Sequence, residues 1–197
     1  MRFISVDIES NQPSGKIIQI GAVAFDTDAK QPIQGEFNCW LNPGEPINWD
    51  QPLKGRDLTL GKLLPYGQEK MDEAAENPQD VFKDFWAWVK KVQSGKKMVQ
   101  WGGGDMHHIT TQSRDAGVDF PKGLRTIDLK VYYQFMYQPI FKLPKGYGLG
   151  TALKSNGMKF LGDEHNAYWD AYNTGLLKMK IVKHLERLAK AESAIKS

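Results

Sequence analysis

The sequence predicts an α/β fold: a mixed sheet, made of an antiparallel three-stranded meander plus parallel strands, flanked by helices. Three observations carry this. Three apolar or β-branched runs follow one another between residues 2 and 41, separated only by turn residues. A segment with helical periodicity then precedes the next strand-like run, and a strand that returns to a sheet after a helix returns parallel. A long amphipathic helix closes the chain.

Arg2-Phe3-Ile4-Ser5-Val6 reads as a short buried strand, and it delivers Asp7-Ile8-Glu9. Side chains two apart in a strand share a face, so Asp7 and Glu9 lie side by side, roughly 7 Å apart at Cα. Two like charges that close raise each other's pKa unless a cation lies between them. Taken alone, these residues fit either an edge strand facing water or a metal site. Ser10 to Gly15 is turn chemistry. Lys16 to Phe25 (KIIQIGAVAF) is the second strand, antiparallel to the first. After a turn at Asp26-Thr27-Asp28, Gln34 to Leu41 is the third, with Phe37, Cys39 and Leu41 on one face. It stops at Asn42-Pro43-Gly44.

Residues 43–77 are rich in proline and glycine and read as irregular structure with short helical turns. A loop this long is either functional or a surface excursion. Pro78 to Val92 is a helix with Asn77 as N-cap and Pro78 at N1. Val81, Phe82, Phe85, Trp86 and Val89 form its apolar face, read as core rather than as a ligand platform. Lys96 to Trp101 is a fourth strand. Gly102-Gly103-Gly104 then permits close backbone approach and unusual φ. Asp105 opens a helix to about Ala116, with Gly117 after it. An acid there serves either the helix dipole or a site, because it lies past a strand end where open α/β sheets bind ligands. His107 and His108 do not share a helical face and read as ordinary helix residues.

Arg125 to Leu129 is a short strand or a helix start, followed by a helix through Gln138 that Pro139, Pro144 and Gly146 break. Leu149 to Asn156 is one more short helix, capped by Gly157. The final helix runs from about Ala167 to Ala189. Its buried stripe is Leu177, Ile181, Leu185 and Leu188, and Lys178, Lys180, Lys183, Arg187 and Lys190 face out as a solvated basic surface. The expected organisation is a single domain over residues 1–190 with a frayed tail at 191–197.

Composition sets the class. The chain has 197 residues, 41% hydrophobic and 25% charged, a globular balance with room for a substantial core. A net charge of +3 is compatible with a polyanionic partner without requiring one. The single cysteine, Cys39, excludes an intramolecular disulfide and suits a reducing compartment. No signal peptide is evident, and no stretch approaches the ~18 apolar residues of a membrane span. The expectation is a cytoplasmic protein without a membrane partner.

Four carboxylates and one histidine stand out in order: Asp7 and Glu9 at the end of the first strand, Asp105 opening a helix after a later strand, and His165 with Asp170 five residues on. This ordered set resembles the DEDDh exonucleases, the DnaQ-like 3′–5′ exonuclease family. IIQIGAVAF after the first motif and HNAYWDAYNTGLL around the last are also family-like, and the resemblance spans Phe3 to about Leu185. Trp101-Gly102-x-x-Asp105 looks more like the KapD-like exoribonuclease branch than the proofreading branch, which favours RNA slightly over DNA. Gly102-Gly103-Gly104 stands where many relatives have bulkier residues.

The resemblance implies a ribonuclease-H-like fold and a metal-dependent 3′–5′ exonuclease on single-stranded RNA or DNA 3′ ends, releasing nucleoside 5′-monophosphates. Phosphodiester hydrolysis must stabilise an attacking and a leaving oxygen, which two divalent cations ~3.5–4 Å apart do. Mg²⁺ or Mn²⁺ prefer oxygen ligands, so a carboxylate cluster suits them. By resemblance, Asp7 bridges two ions, Glu9 and Asp170 hold the first and Asp105 the second. His165 is the general base, on a segment expected to close over substrate. The backbone of Ile8 and the side chain of Ser10 touch the 3′-terminal nucleotide. Many family members are homodimers, although the sequence presents no unambiguous apolar interface. Two other readings stay open: a catalytically silent nucleic-acid-binding module, and a phosphodiesterase of very short oligonucleotides.

Overall fold

The computed structural model describes residues 1–50, 52–53, 58–92 and 97–195. Strands β1 (Arg2–Ser10), β2 (Ile17–Asp26) and β3 (Ile33–Leu41) form the expected antiparallel meander. β5 (Lys97–Gln100) lies parallel to β1, β6 (Arg125–Asp128) parallel to β5, and β4 (Ala75–Glu76) parallel to β3. The sheet order is β4-β3-β2-β1-β5-β6. Helices α1 (Leu60–Leu63), α2 (Gly67–Ala74), α3 (Pro78–Lys91), α4 (Asp105–Asp115), α5 (Leu129–Met136), α6 (Gln138–Phe141), α7 (Leu149–Ser155) and α8 (Ala167–Ile195) complete it.

Strand alternation sorts the core into two layers. Ile4 and Val6 of β1 pack with Val81, Phe82, Phe85 and Trp86 of α3 and with Ile109 of α4. Phe3 points the other way, into a layer with Leu129 and Tyr133 of α5, Leu153 of α7 and Leu177 of α8. Each large apolar side chain buried this way contributes ~1.5–3 kcal/mol. Trp86 is fully buried, and its indole N–H donates to Ser113 Oγ at 2.9 Å, so the ring brings no orphaned donor inside. Asn77 caps α3 as its sequence predicts, its Oδ1 accepting from Gln79 N at 2.9 Å.

The period-2 rule places the acids. Asp7 and Glu9 share β1's Phe3 face, the face that α8 covers. Gly21 is the β2 partner of Asp7. A Cβ on Gly21 would lie 2.1 Å from the Ala167 carbonyl carbon, so only glycine lets the start of α8 settle there.

Several expectations are corrected. The 43–77 excursion does carry short helices, α1 and α2, but it also adds a strand: β4 pairs Ala75 with Trp40 and Glu76 with Leu41. Two residues carry no periodicity from which a strand could be read. α5 ends at Met136, and Pro139 opens the next helical turn instead of ending the last, since a first-turn position needs no N–H. α8 continues to Ile195, past Ala189. Leu188 is 50% exposed and lies beyond the buried stripe. Lys178 does not face out: its ammonium sits 5.4 Å from the centre of the Phe3 ring, and burial lowers its pKa. Lys96, predicted to open the fourth strand, lies outside the described residues.

Candidate active site

Ligand oxygens from Asp7, Glu9 and Asp170 all lie within 4.8 Å of one another. Two come from the end of β1 and the third from the first turn of α8, so rigid elements set the spacing. The crowding is costly without a cation. Burial, followed by the charges of Asp105, Asp170 and Glu9, pushes the Asp7 carboxyl well above the usual carboxylate range. Burial likewise raises Asp170 to about 7. The backbone N–H of His165 binds the Asp170 carboxylate and opposes that rise.

Asp105 stands slightly apart from this trio, close enough for its charge to raise Asp7. Its position comes from the glycine turn: Gly102 at φ +90° and Gly104 at φ +127° are conformations that side chains rarely adopt. Gln100 fastens the turn, its amide donating to the Gly102 carbonyl at 2.8 Å and accepting from Met106 N at 3.1 Å. Asp128 fastens it from β6, accepting from Gly102 N at 3.1 Å while capping α5 through Lys130 N at 2.9 Å. Burial and the Asp128 charge raise Asp105 to about 7. Asp105 Oδ2 is buried with no hydrogen-bond partner among the described residues. A hard divalent cation satisfies both the orphaned oxygen and the repelling acids, so the donor set fits the metal that the resemblance implies.

His165 is exposed, in the left-handed region at φ +63°, and lines the same cleft as Asp7, Glu9 and Asp170. Its neighbours are anchored from the sheet. The fully buried Gln19 of β2 accepts from Ala167 N at 3.1 Å and donates to Asn166 Oδ1 at 3.3 Å and to Asn38 Oδ1 at 3.0 Å. Asn166 caps α8 through Tyr168 N at 3.1 Å. The cleft itself is about 660 Å³.

No family model matches the chain. Among curated proteins it is similar to ERI1 exoribonuclease 2 of Mus musculus, 27% identical over 210 residues, and to that of Homo sapiens, 27% identical over 209. Each match covers 91% of this chain but only 28% of the relative, so the chain spans well under half the length of either. Among solved structures, the nuclease domain of 3′hExo, a DEDDh family member bound to rAMP, superimposes with a TM-score of 0.67 at 18% identity, covering 93% of this chain and 92% of that one. The fold is that of the DEDDh nucleases. A 3′-exonuclease solved for its 3′-end specific recognition of histone mRNA stem-loop gives a TM-score of 0.69 at 17% identity, covering 93% and 82%. The Mg²⁺- and Mn²⁺-bound form of S. pombe Pop2p gives 0.57 at 14%, covering 91% and 82%.

Set in the DEDDh fold, the predicted residues sort cleanly. Asp7, Ile8, Glu9, His165 and Asp170 line one cleft, and Asp105 lies partly buried beside it. Ser10 is not among the lining residues; its hydroxyl accepts from Gln12 Nε2 at 3.4 Å, past the bulge between Glu9 and Ser10. Sequence reasoning missed the opposite wall, made by Lys130, Thr151, Lys154 and Phe160. It also missed Gln19 and Asp128. Asp128 had a legible signal, an acid directly ahead of an apolar helical run. The others had none beyond residue type.

Proposed function

We propose that this chain is a divalent-metal-dependent 3′–5′ exonuclease that hydrolyses single-stranded nucleic acid, RNA in preference to DNA, and releases nucleoside 5′-monophosphates. The observation that carries the reading is the convergence of Asp7, Glu9 and Asp170 within 4.8 Å in a cleft that His165 also lines. Asp7, Glu9 and Asp170, with Asp105 beside them, would hold two Mg²⁺ or Mn²⁺ ions, whose chemistry is to stabilise the attacking and leaving oxygens. That all-oxygen donor set would favour hard ions over thiolate- or imidazole-seeking metals. His165 takes the proton of the attacking water at an imidazole nitrogen, as a general base does. Ile8 lines the cleft, and its backbone would meet the terminal nucleotide. The exoribonuclease name of the curated relatives and the RNA recognised by one structural neighbour support the choice of RNA.

The test is incubation with matched 5′-labelled RNA and DNA single strands, with Mg²⁺ or Mn²⁺ and a duplex control. A ladder shortening from the 3′ end, faster on RNA and absent in EDTA, is expected. Intact strands with both metals overturn the reading.

A further inference from the structure

A second groove, about 470 Å³, lies between α6 and the middle of α8. Lys180, Lys183, His184 and Arg187 line it from α8, and Phe141 and Met158 line it from the facing wall. Its lining holds no carboxylate. Independently, the stretch from Leu129 to Gly162, which supplies that facing wall and one wall of the cleft, contains five lysines and no Asp or Glu. Cleft and groove are neighbours across α7: Thr151 and Lys154 belong to the cleft, Asn156 and Met158 to the groove. The Lys180 ammonium is tied to the Asn156 carbonyl, which fixes the groove's wall to its floor.

We propose that this groove takes the sugar–phosphate backbone of the substrate strand several nucleotides 5′ of the end held in the cleft. The proposal rests on the exonuclease reading for which end enters the cleft. Cations around an aromatic and a thioether, with no acid among them, match a single strand, which offers phosphates and stackable bases together. A second copy of the chain fits worse: a two-fold interface would bring the same cations face to face. The fold also sets a length. α8 rises about 1.5 Å per residue, so Lys180 to Arg187 lie roughly 15–25 Å along the helix from Asp170. At about 3.4 Å per stacked nucleotide, the groove is reached after about five to seven nucleotides.

The test measures anisotropy of 5′-fluorescein oligouridines, two to sixteen nucleotides long, on the full chain in EDTA, across a salt series. Binding by the unmodified chain should strengthen in a step at about five to seven nucleotides. Lys183→Glu/Arg187→Glu should abolish the step, weaken the 12-mer roughly tenfold and lower the salt slope by about 1.4, the share of two phosphates on a single strand. Lys90→Glu/Lys91→Glu, the same charge change on α3 across the sheet, should keep the step. Should melting show that the glutamate variant fails to fold, Lys183→Gln/Arg187→Gln serves, with the same direction expected. Equal behaviour of the two sites overturns the proposal. So does a groove variant that turns dimer into monomer in sedimentation while binding RNA unchanged. Manganese-dependent hydrolysis of a trinucleotide, scored separately, judges the exonuclease reading: hydrolysis without the step rejects the groove alone, and the step without hydrolysis rejects the chemistry alone.

Discussion

The buried amide of Gln19 accepts the backbone N–H of Ala167 at 3.1 Å, so the central sheet holds the first residue of the helix that carries Asp170. The same side chain reaches Asn166, next to His165. Gln19→Leu would leave the buried Ala167 N–H without its partner inside the protein. Each orphaned buried group costs about 1–3 kcal/mol. Urea denaturation should therefore show a loss of at least that size, and turnover should fall because both the base and an acid ride on this anchor. Unchanged stability and turnover would remove Gln19 from the account.

Asp7 presents a trade of function against stability. Its carboxyl is pushed far up by burial and by three neighbouring acids, so its ionised form opposes folding when no cation is bound. Asp7→Asn keeps the shape and removes the charge. The metal-free variant should melt higher than the parent at pH 8, while calorimetry should show Mn²⁺ affinity lost. Retained Mn²⁺ binding would argue that Asp7 is no ligand.

Much of this architecture is legible in the amino-acid sequence. The apolar run KIIQIGAVAF and the helix after Asn77 point to the meander and the parallel return, because burial on both faces of a strand leaves a continuous apolar run and burial on one face of a helix leaves a periodic one. Asp7 and Glu9 draw attention because like charges two apart in a strand demand a reason, and Asp170 joins them through the ordered set that resembles the DEDDh exonucleases. Gln19 is not: a polar residue inside an apolar strand looks like a blemish until its helix partner is known. Gly21 is not either, since nothing local distinguishes a glycine that admits another backbone from one that only weakens a strand. β4 and the Lys130–Lys154 wall depend on contacts between distant segments, which periodicity does not record.

The raised acids give a pH signature. Asp105 and Asp170 move from an ordinary value near 3.8 to about 7 on folding, so the folded chain binds protons that the unfolded chain has released. That contribution is fully present below pH 3.8 and is lost as pH rises through about 7. Metal-free protein should lose thermal stability between pH 5 and 8 at these groups. Mn²⁺ competes with protons for the same oxygens, so its stabilisation should be larger at pH 8 than at pH 5.5. Differential scanning calorimetry with and without Mn²⁺ checks both; an equal Mn²⁺ shift at the two pH values contradicts the assignment.

His165 can be separated from the metal ligands. It lines the cleft, and its backbone N–H binds the Asp170 carboxylate. His165→Ala should then leave Mn²⁺ affinity within about twofold and lower turnover by ~10²–10⁴, the usual contribution of a general base. Loss of metal binding in this variant would reassign the residue as a ligand.

Gly21 offers the sharpest structural test, because it lies opposite Asp7 on β2 and beneath the start of α8. An alanine there would place Cβ 2.1 Å from both the Ala167 carbonyl carbon and Tyr168 N, atoms of backbone that cannot swing aside. α8 must lift off the sheet, and Asp170 lifts with it, away from Asp7 and Glu9. Overpacking of this kind costs about 1–3 kcal/mol or more. Gly21→Ala should therefore lower the urea midpoint and weaken Mn²⁺ together. Gly148→Ala is the control, since an added Cβ there meets nothing within 4 Å. A Gly21→Ala chain with parental stability and parental Mn²⁺ affinity would show that the helix does not rest on β2 as described.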